Sequence, residues 1–348
     1  MDLFSQLPLP VNAIAFAALA AAIWTAGTRL SYLAGAIGEI TGIGQAIMGL
    51  LFLGGITELP ELVTTAAAAL KGNAALALNN MLGGIPMQTA ILAVADMVAL
   101  HVALTSLPRK QTPILEGALL ALLLMVMFLL VSVGEVALVK GLGLGVTALA
   151  GLYLLFIYAL NRYERAHAWQ PIDSVEATAG VPQVRLSSFR TLSLRALVLQ
   201  SCGAAAVILV CGVLLVEVCE SIAQKSSLGN SFIGVTLLAT TTSLPELSTT
   251  IAAVRMGAYT MAISNIFGSN LLMVFILLPA DLLYREGEIL TQADDTSRMA
   301  LLSGIAVTLV YIVGLLVRDK RRVLGMGIDS AVVMALYLAS LYAFYIVR

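Results

Sequence analysis

Residues 54–61 read Gly54-Gly55-Ile56-Thr57-Glu58-Leu59-Pro60-Glu61, and residues 239–246 read Ala239-Thr240-Thr241-Thr242-Ser243-Leu244-Pro245-Glu246. Both stretches lie inside long apolar runs. The two belong to a longer repeat. Residues 49–96 align with 234–281 at an offset of 185 without gaps, and 19 of 48 positions are identical. Thr57/Thr242, Pro60/Pro245, Glu61/Glu246, Gly72/Gly257, Asn80/Asn265, Gly83/Gly268 and Asp96/Asp281 all match. Gly27 pairs with Gly212 at the same offset, so the similarity reaches beyond the core segment. A duplicated scaffold has no reason to keep Glu, Asn and Thr twice inside apolar helices. The repeat therefore points to a site.

The setting of these residues is a membrane. Of 348 residues, 60% are hydrophobic and 11% charged, against roughly 25% charged in a soluble domain. Mean hydropathy is +0.98. The formal net charge of −1 leaves no basic stripe for phosphates and excludes a nucleic-acid partner. Apolar runs long enough to span a bilayer recur along the chain. Ten spans are expected, at 9–35, 40–70, 74–101, 112–133, 135–160, 191–222, 230–255, 258–284, 297–317 and 324–347. The fold class is an all-α integral membrane protein of two inverted five-helix repeats. Residues 1–160 form the first repeat and 191–348 the second, joined by a connector at 161–190. Five spans per half is an odd number, so the second half enters from the opposite side. Inverted halves are a recurring plan of secondary transporters, with the site at the midplane.

Orientation follows from Lys and Arg. Loops after spans 1, 3, 5, 7 and 9 carry 13 of them, and the other side carries 6. The positive-inside rule makes the first side cytoplasmic and puts both termini outside, with the connector cytoplasmic. The first apolar run reads as a retained helix, not a cleaved signal peptide. Cys202, Cys211 and Cys219 share one apolar segment without a C-x-x-C pair, and read as membrane thiols.

Glu61 and Glu246 each cost several kcal/mol to place in hydrocarbon, roughly 2.5–3.5 for comparable charges on insertion scales, and such residues mark function by default. Pro60 and Pro245 precede them and lack an N–H. The carbonyls of Ile56 and Thr241 thereby lose their helical donor, and the helix kinks or opens. Freed carbonyls beside a carboxylate make a hard oxygen site suited to sodium or calcium. Thr57 and Thr242 lie four residues before each Glu and share its helix face. Asn80 and Asn265, in the following span, offer neutral amide oxygens. Asp96 and Asp281 fall near the ends of spans 3 and 8, where helix-end solvation accounts for them. Glu116, Glu135 and Asp329 are placed near membrane interfaces.

The two Pro-Glu segments, with Ser264-Asn265-Ile266-Phe267-Gly268-Ser269-Asn270 and the looser Asn79-Asn80-Met81-Leu82-Gly83-Gly84-Ile85, resemble the α-repeats of the calcium/cation antiporter superfamily. The sodium/calcium exchanger branch is the nearer one. The resemblance covers essentially the whole chain. It implies that spans 2, 3, 7 and 8 form a core holding cations between the Glu residues, while spans 1 and 6 slide or rock across it. Carried over by position, the metal ligands are Glu61, Glu246, Asn80 and Asn265. Hydroxyls come from Thr57, Thr242 and Ser243, and backbone carbonyls from Gly54 and Ala239. Glu58 replaces a family serine and would add a third carboxylate. Pro86 departs from the pattern too, and is expected to bend span 3.

The expected activity is exchange of calcium against sodium by alternating access in the cell membrane. Two alternatives stay open: a calcium/proton or sodium/proton antiporter, and a cation channel or sensor on the same fold. Two or three carboxylates in a low-dielectric site cannot all stay charged unless a cation or proton neutralises them. Calcium, sodium and protons would compete for the same charge. No enzyme activity and no resident cofactor is implied. No H-E-x-x-H, P-loop or G-x-S-x-G occurs. The partners are inorganic cations and the lipid bilayer. The sequence leaves the oligomeric state open, and a monomer is compatible with it.

Overall fold

A computed structural model describes residues 4–139, 142–165, 192–225 and 241–347. The chain is helical almost throughout. Helix α1 is Leu9–Thr41, followed by α2 (Gln45–Ile47), a π-helical turn (Met48–Leu53), α3 (Gly54–Thr57), α4 (Leu59–Leu70), α5 (Ala74–Ala99), α6 (Thr112–Val133) and α7 (Leu144–Arg165). The second half has α8 (Leu194–Lys225), α9 (Leu244–Arg255), α10 (Tyr259–Leu283), α11 (Asp295–Val317) and α12 (Ile328–Val347).

Seven of the described helices are long and apolar enough to cross a membrane, and eight if the bent pair Gln45–Thr57 and Leu59–Leu70 counts as one. Ile328–Ala343 is a shorter apolar helix, and α9 is the described part of the seventh expected span. This accommodates the ten spans of an all-α membrane protein. Residues 166–191, which hold most of the connector expected at 161–190, and residues 226–240, Ala239 among them, lie outside the described residues.

The predicted break at Pro60 is present. The axis turns by 47° between Thr57 and Leu59, with Glu58 between the two legs. The preceding π turn has wider hydrogen-bonded rings and loosens the same helix one turn earlier. α5, in contrast, runs without a break through Pro86. The expected bend at that proline is not a break.

The second legs of both repeats end alike. Gly72 and Gly257 have φ of +75° and +77°, and donate to Ala69 and Val254 carbonyls at 3.0 Å in each case. Only glycine enters this left-handed region without strain, which explains why the pair is retained at both ends.

Of the described membrane-length helices α5 and α10 are the most enclosed, and α10 packs on the π turn, α3, α4, α5, α6 and α9. Glycines permit this closeness. A Cβ at Gly54 would lie 3.0 Å from the Ser269 nitrogen, and one at Gly268 would collide with the Leu50 backbone. The long helices α1 and α8 pack along each other outside this core. With 33 and 32 residues, each is about 50 Å long, more than a 30 Å hydrocarbon layer needs.

Spans 5 and 10 start later than their apolar sequence suggests. A small antiparallel hairpin precedes each: Ala137–Val139 with Leu142–Gly143, and Arg322–Val323 with Met326–Gly327. Asp96 and Asp281 hold these hairpins. Asp281 accepts the Ile289 N–H at 2.7 Å and the Gly143 N–H at 2.7 Å. Asp96 accepts the Leu104 N–H at 3.2 Å and the Gly327 N–H at 2.8 Å. Both aspartates are fully buried, so the expectation of solvated helix ends is corrected. A carboxylate that accepts two backbone N–H groups is satisfied without solvent.

Candidate cation site

Glu61 and Glu246 sit in the first turns of α4 and α9, where the unpaired N–H groups of a helix start favour negative charge. They are 2% and 0% exposed, and none of their four carboxylate oxygens has a hydrogen-bond partner of normal geometry. The hydroxyls flank them crosswise. Thr242 of the second repeat lies beside Glu61, and Thr57 of the first lies beside Glu246. On sequence spacing alone each Thr was expected to serve the Glu of its own helix. The break between Thr57 and Leu59 turns the threonine toward the other repeat instead.

Glu58, at the break, is 1% exposed. It repels both Glu61 and Glu246, so three carboxylates act on one another in the protein interior. Its Oε1 accepts from Gln88 Nε2 at 2.7 Å, and Ser269 lies beside the carboxylate as well. Ser269 Oγ is also 3.4 Å from Thr57 Oγ1. The second carboxylate oxygen of Glu58 has no partner. Ser243, which holds the place of Glu58 in the second repeat, is buried at the start of α9.

Asn265 is oriented by its neighbours. The Thr249 hydroxyl donates to the Pro245 and Glu246 carbonyls at 2.8 and 3.1 Å. Its single proton is thereby used, and toward Asn265 it can only accept. Asn265 Nδ2 donates to Thr249 Oγ1 at 3.0 Å and to Thr250 Oγ1 at 3.1 Å. The amide oxygen is left buried and free of partners, as a cation ligand requires. Asn80 makes no such clasp. It is half-buried, while Thr64 turns to the Glu61 carbonyl at 3.1 Å and the buried Thr65 hydroxyl has no partner. The two Asn positions are therefore not equivalent.

The Gly54 carbonyl accepts the Glu58 N–H at 3.1 Å and the Thr57 hydroxyl at 3.3 Å, so it is engaged locally. Among the described residues, no three Asp, Glu, His or Cys side chains converge tightly enough to chelate a metal by themselves. Hydroxyl and amide oxygens have to complete any coordination shell here.

Sequence reasoning missed Gln88 and the Thr249–Thr250 clasp. A signal for Gln88 existed: it is polar in an apolar helix and lies eight residues after Asn80, on the same face. The outer helices reach this core through the Gly27/Gly212 pair. A Cβ at Gly212 in α8 would lie 2.7 Å from Pro60 Cγ, and one at Gly27 in α1 would collide with the Ser248 hydroxyl, 3.4 Å from the Pro245 carbonyl. Each long helix thus crosses the Pro-Glu segment of the other half through a glycine.

The chain matches the model of the family described as sodium/calcium exchanger protein over residues 11–162 and 196–348. It is 31% identical over 295 residues to the inner membrane protein YrbG of Escherichia coli K12, covering 81% of this chain and 83% of that one. A putative antiporter, CaxA of Alkalimonas amylolytica, is 26% identical over 262 residues, or 74% of this chain and 75% of the relative. The sodium/calcium exchanger MaX1 of Methanosarcina acetivorans is 44% identical over 61 residues, 17% of each chain. The fold of this chain is similar to that of the sodium-calcium exchanger NCX_Mj, with a TM-score of 0.70 over 97% of this chain and 99% of that one, at 16% identity. With both halves matched and the membrane fold shared end to end, the chain belongs to the sodium/calcium exchanger protein family.

Proposed function

We propose that the chain is a secondary-active antiporter that exchanges calcium against sodium by alternating access. The observation that carries this reading is the set of free oxygens at the core. Five carboxylate oxygens of Glu58, Glu61 and Glu246, with the Asn265 amide oxygen, are buried and unpartnered. Calcium takes six to eight oxygens, and a bare cluster of anions at this depth is unfavourable until a cation neutralises it. Thr57, Thr242 and Ser243 stand at hand to add hydroxyls.

The architecture supports exchange. The site lies where two inverted halves, residues 1–160 and 191–348, meet. α1 and α8 cover it as one packed pair and cross the core at glycines, so a slide of that pair would expose the site to one side at a time. Because cations neutralise the same carboxylates, an empty site resists closure and a loaded one permits it. By the positive-inside rule, the end bearing Lys110 and the connector is cytoplasmic, in the inner membrane of the cell.

A second reading, exchange against protons, is favoured by Glu58. Three carboxylates exceed the two charges of one calcium ion, which leaves one for a proton. Calcium-45 uptake into proteoliposomes, driven separately by sodium and proton gradients, distinguishes the two. Glu246→Gln is expected to abolish uptake under both gradients. A folded Glu246→Gln protein with full flux would overturn the assignment of the site.

A further inference from the structure

Glu116 on α6 is a buried carboxylate outside the site just described. It was expected near the interface, yet it is 0% exposed and neither oxygen has a hydrogen-bond partner. Two groups mark what lies on either side. Toward α10 the Ser264 hydroxyl lies beside it, also buried and without a partner of normal geometry. Ser264 immediately precedes Asn265, whose buried amide oxygen has no hydrogen-bond partner and which is among the expected cation ligands. On the other side stands Glu164 of α7, the charged group that acts on Glu116. Glu164 accepts from Thr112 Oγ1 and from Lys110 Nζ, each at 2.5 Å. Thr112 lies one helical turn before Glu116 on the same face of α6. Lys110, Thr112 and Glu164 line a cavity of about 870 Å³, together with Thr41, Ile47 and Leu51.

Chemistry limits what Glu116 can hold. One carboxylate and one hydroxyl are too few oxygens for calcium or sodium, which need about six. A bare anion at this depth, with no cation or donor network, costs several kcal/mol. A proton fits the space and the charge. The feature is also one-sided: at offsets of 184 and 185 the second half has Ala300 and Leu301. It serves the cavity end of the protein only.

We propose that Glu116 is a proton-binding residue between the Lys110–Glu164 cavity and the cation site, and that the protein moves protons as a coupled co-substrate. The proposal rests on the second reading above, exchange against protons. Water in the cavity exchanges the proton with the Glu116 carboxyl, and the Ser264 hydroxyl passes it toward the core carboxylates. Only O–H bonds are made and broken, and the proton is conserved at each step.

Two measurements test it on the full chain. In proteoliposomes holding the pH indicator pyranine, Glu116→Gln should lower the ratio of proton-driven to sodium-driven calcium-45 uptake at least tenfold. It should also remove the calcium-dependent pyranine signal, and Glu116→Asp should restore part of both. Wild-type uptake without proton movement, or a Glu116→Gln protein with the wild-type ratio, would overturn the proposal. Infrared spectroscopy reads the proton without transport. One component of the carboxylic-acid carbonyl band at neutral pH should be lost in Glu116→Gln while the core glutamates keep theirs, and identical spectra would refute a proton at Glu116. Absence of calcium flux under either gradient would instead count against the antiporter reading, and the infrared result would still decide Glu116.

Discussion

Gln88 donates to Glu58 across 2.7 Å, and the pair stands where the second repeat has Met273 and Ser243. The two halves therefore differ at two touching positions, polar and bonded in one, apolar and small in the other. Removing one partner strands the other. Gln88→Met is expected to destabilise the detergent-purified protein by about 1.5–3 kcal/mol, the usual range for a hydrogen bond to a charged group. The double variant Glu58→Ser/Gln88→Met should recover most of that loss. Denaturant unfolding of the four proteins in a cycle gives the coupling, and additive losses would show that the pair is independent.

Asn265 is held by two threonines so that its oxygen points away from them. Asn265→Ala removes that oxygen and leaves the Thr249 hydroxyl its acceptors, the Pro245 and Glu246 carbonyls. Calcium binding, measured by titration calorimetry, is expected to weaken about tenfold, or about 1.4 kcal/mol. Asn80→Ala, which breaks no clasp, should cost less. Equal losses at both positions would show that the asymmetry of the two Asn residues has no bearing on binding.

Gly212 and Pro60 are in contact where α8 crosses the core. A β-branched side chain at this point forces the outer helix away or pins it. Gly212→Val should cut calcium flux at least tenfold while calcium affinity stays within a few-fold of wild type. Flux and affinity falling together would mean that the residue shapes the site and does not govern movement across it.

The residues of the proposed cation site could be found in the sequence because charge inside an apolar span is conspicuous and occurs twice. Glu61, Glu246, the break at Pro60 and the membrane fold all follow from that. Three features did not follow. The placement of Thr57 beside Glu246 follows a 47° turn whose direction no local pattern encodes. The hairpin before α7 is written in apolar residues such as Val136, Ala137 and Leu138, which read as helix, and the one before α12 takes Met326 and Gly327 from the expected tenth span. They form because distant carboxylates take their N–H groups, 138 residues away for Gly143 and 231 for Gly327. Glu116 lies one turn from a helix start and looks interfacial by position. Its burial comes from α7 and α10, which cover it in three dimensions.

The two aspartates also bear on the ancestry of the molecule. Asp96 belongs to the first half and grips the hairpin of the second, while Asp281 of the second grips the hairpin of the first. Donor and acceptor are exchanged in both directions, which is the rule for a contact between identical subunits about a two-fold axis. A single half would leave its aspartate with only the donor from its own half, Leu104 or Ile289, and its hairpin without the carboxylate that fastens it. Only its twin supplies the missing halves. Two separate copies, inserted head to tail, would have met through these same four groups before any peptide joined them. One continuous chain holds the two halves at one to one and leaves each free to differ, as Glu58 and Gln88 do from Ser243 and Met273.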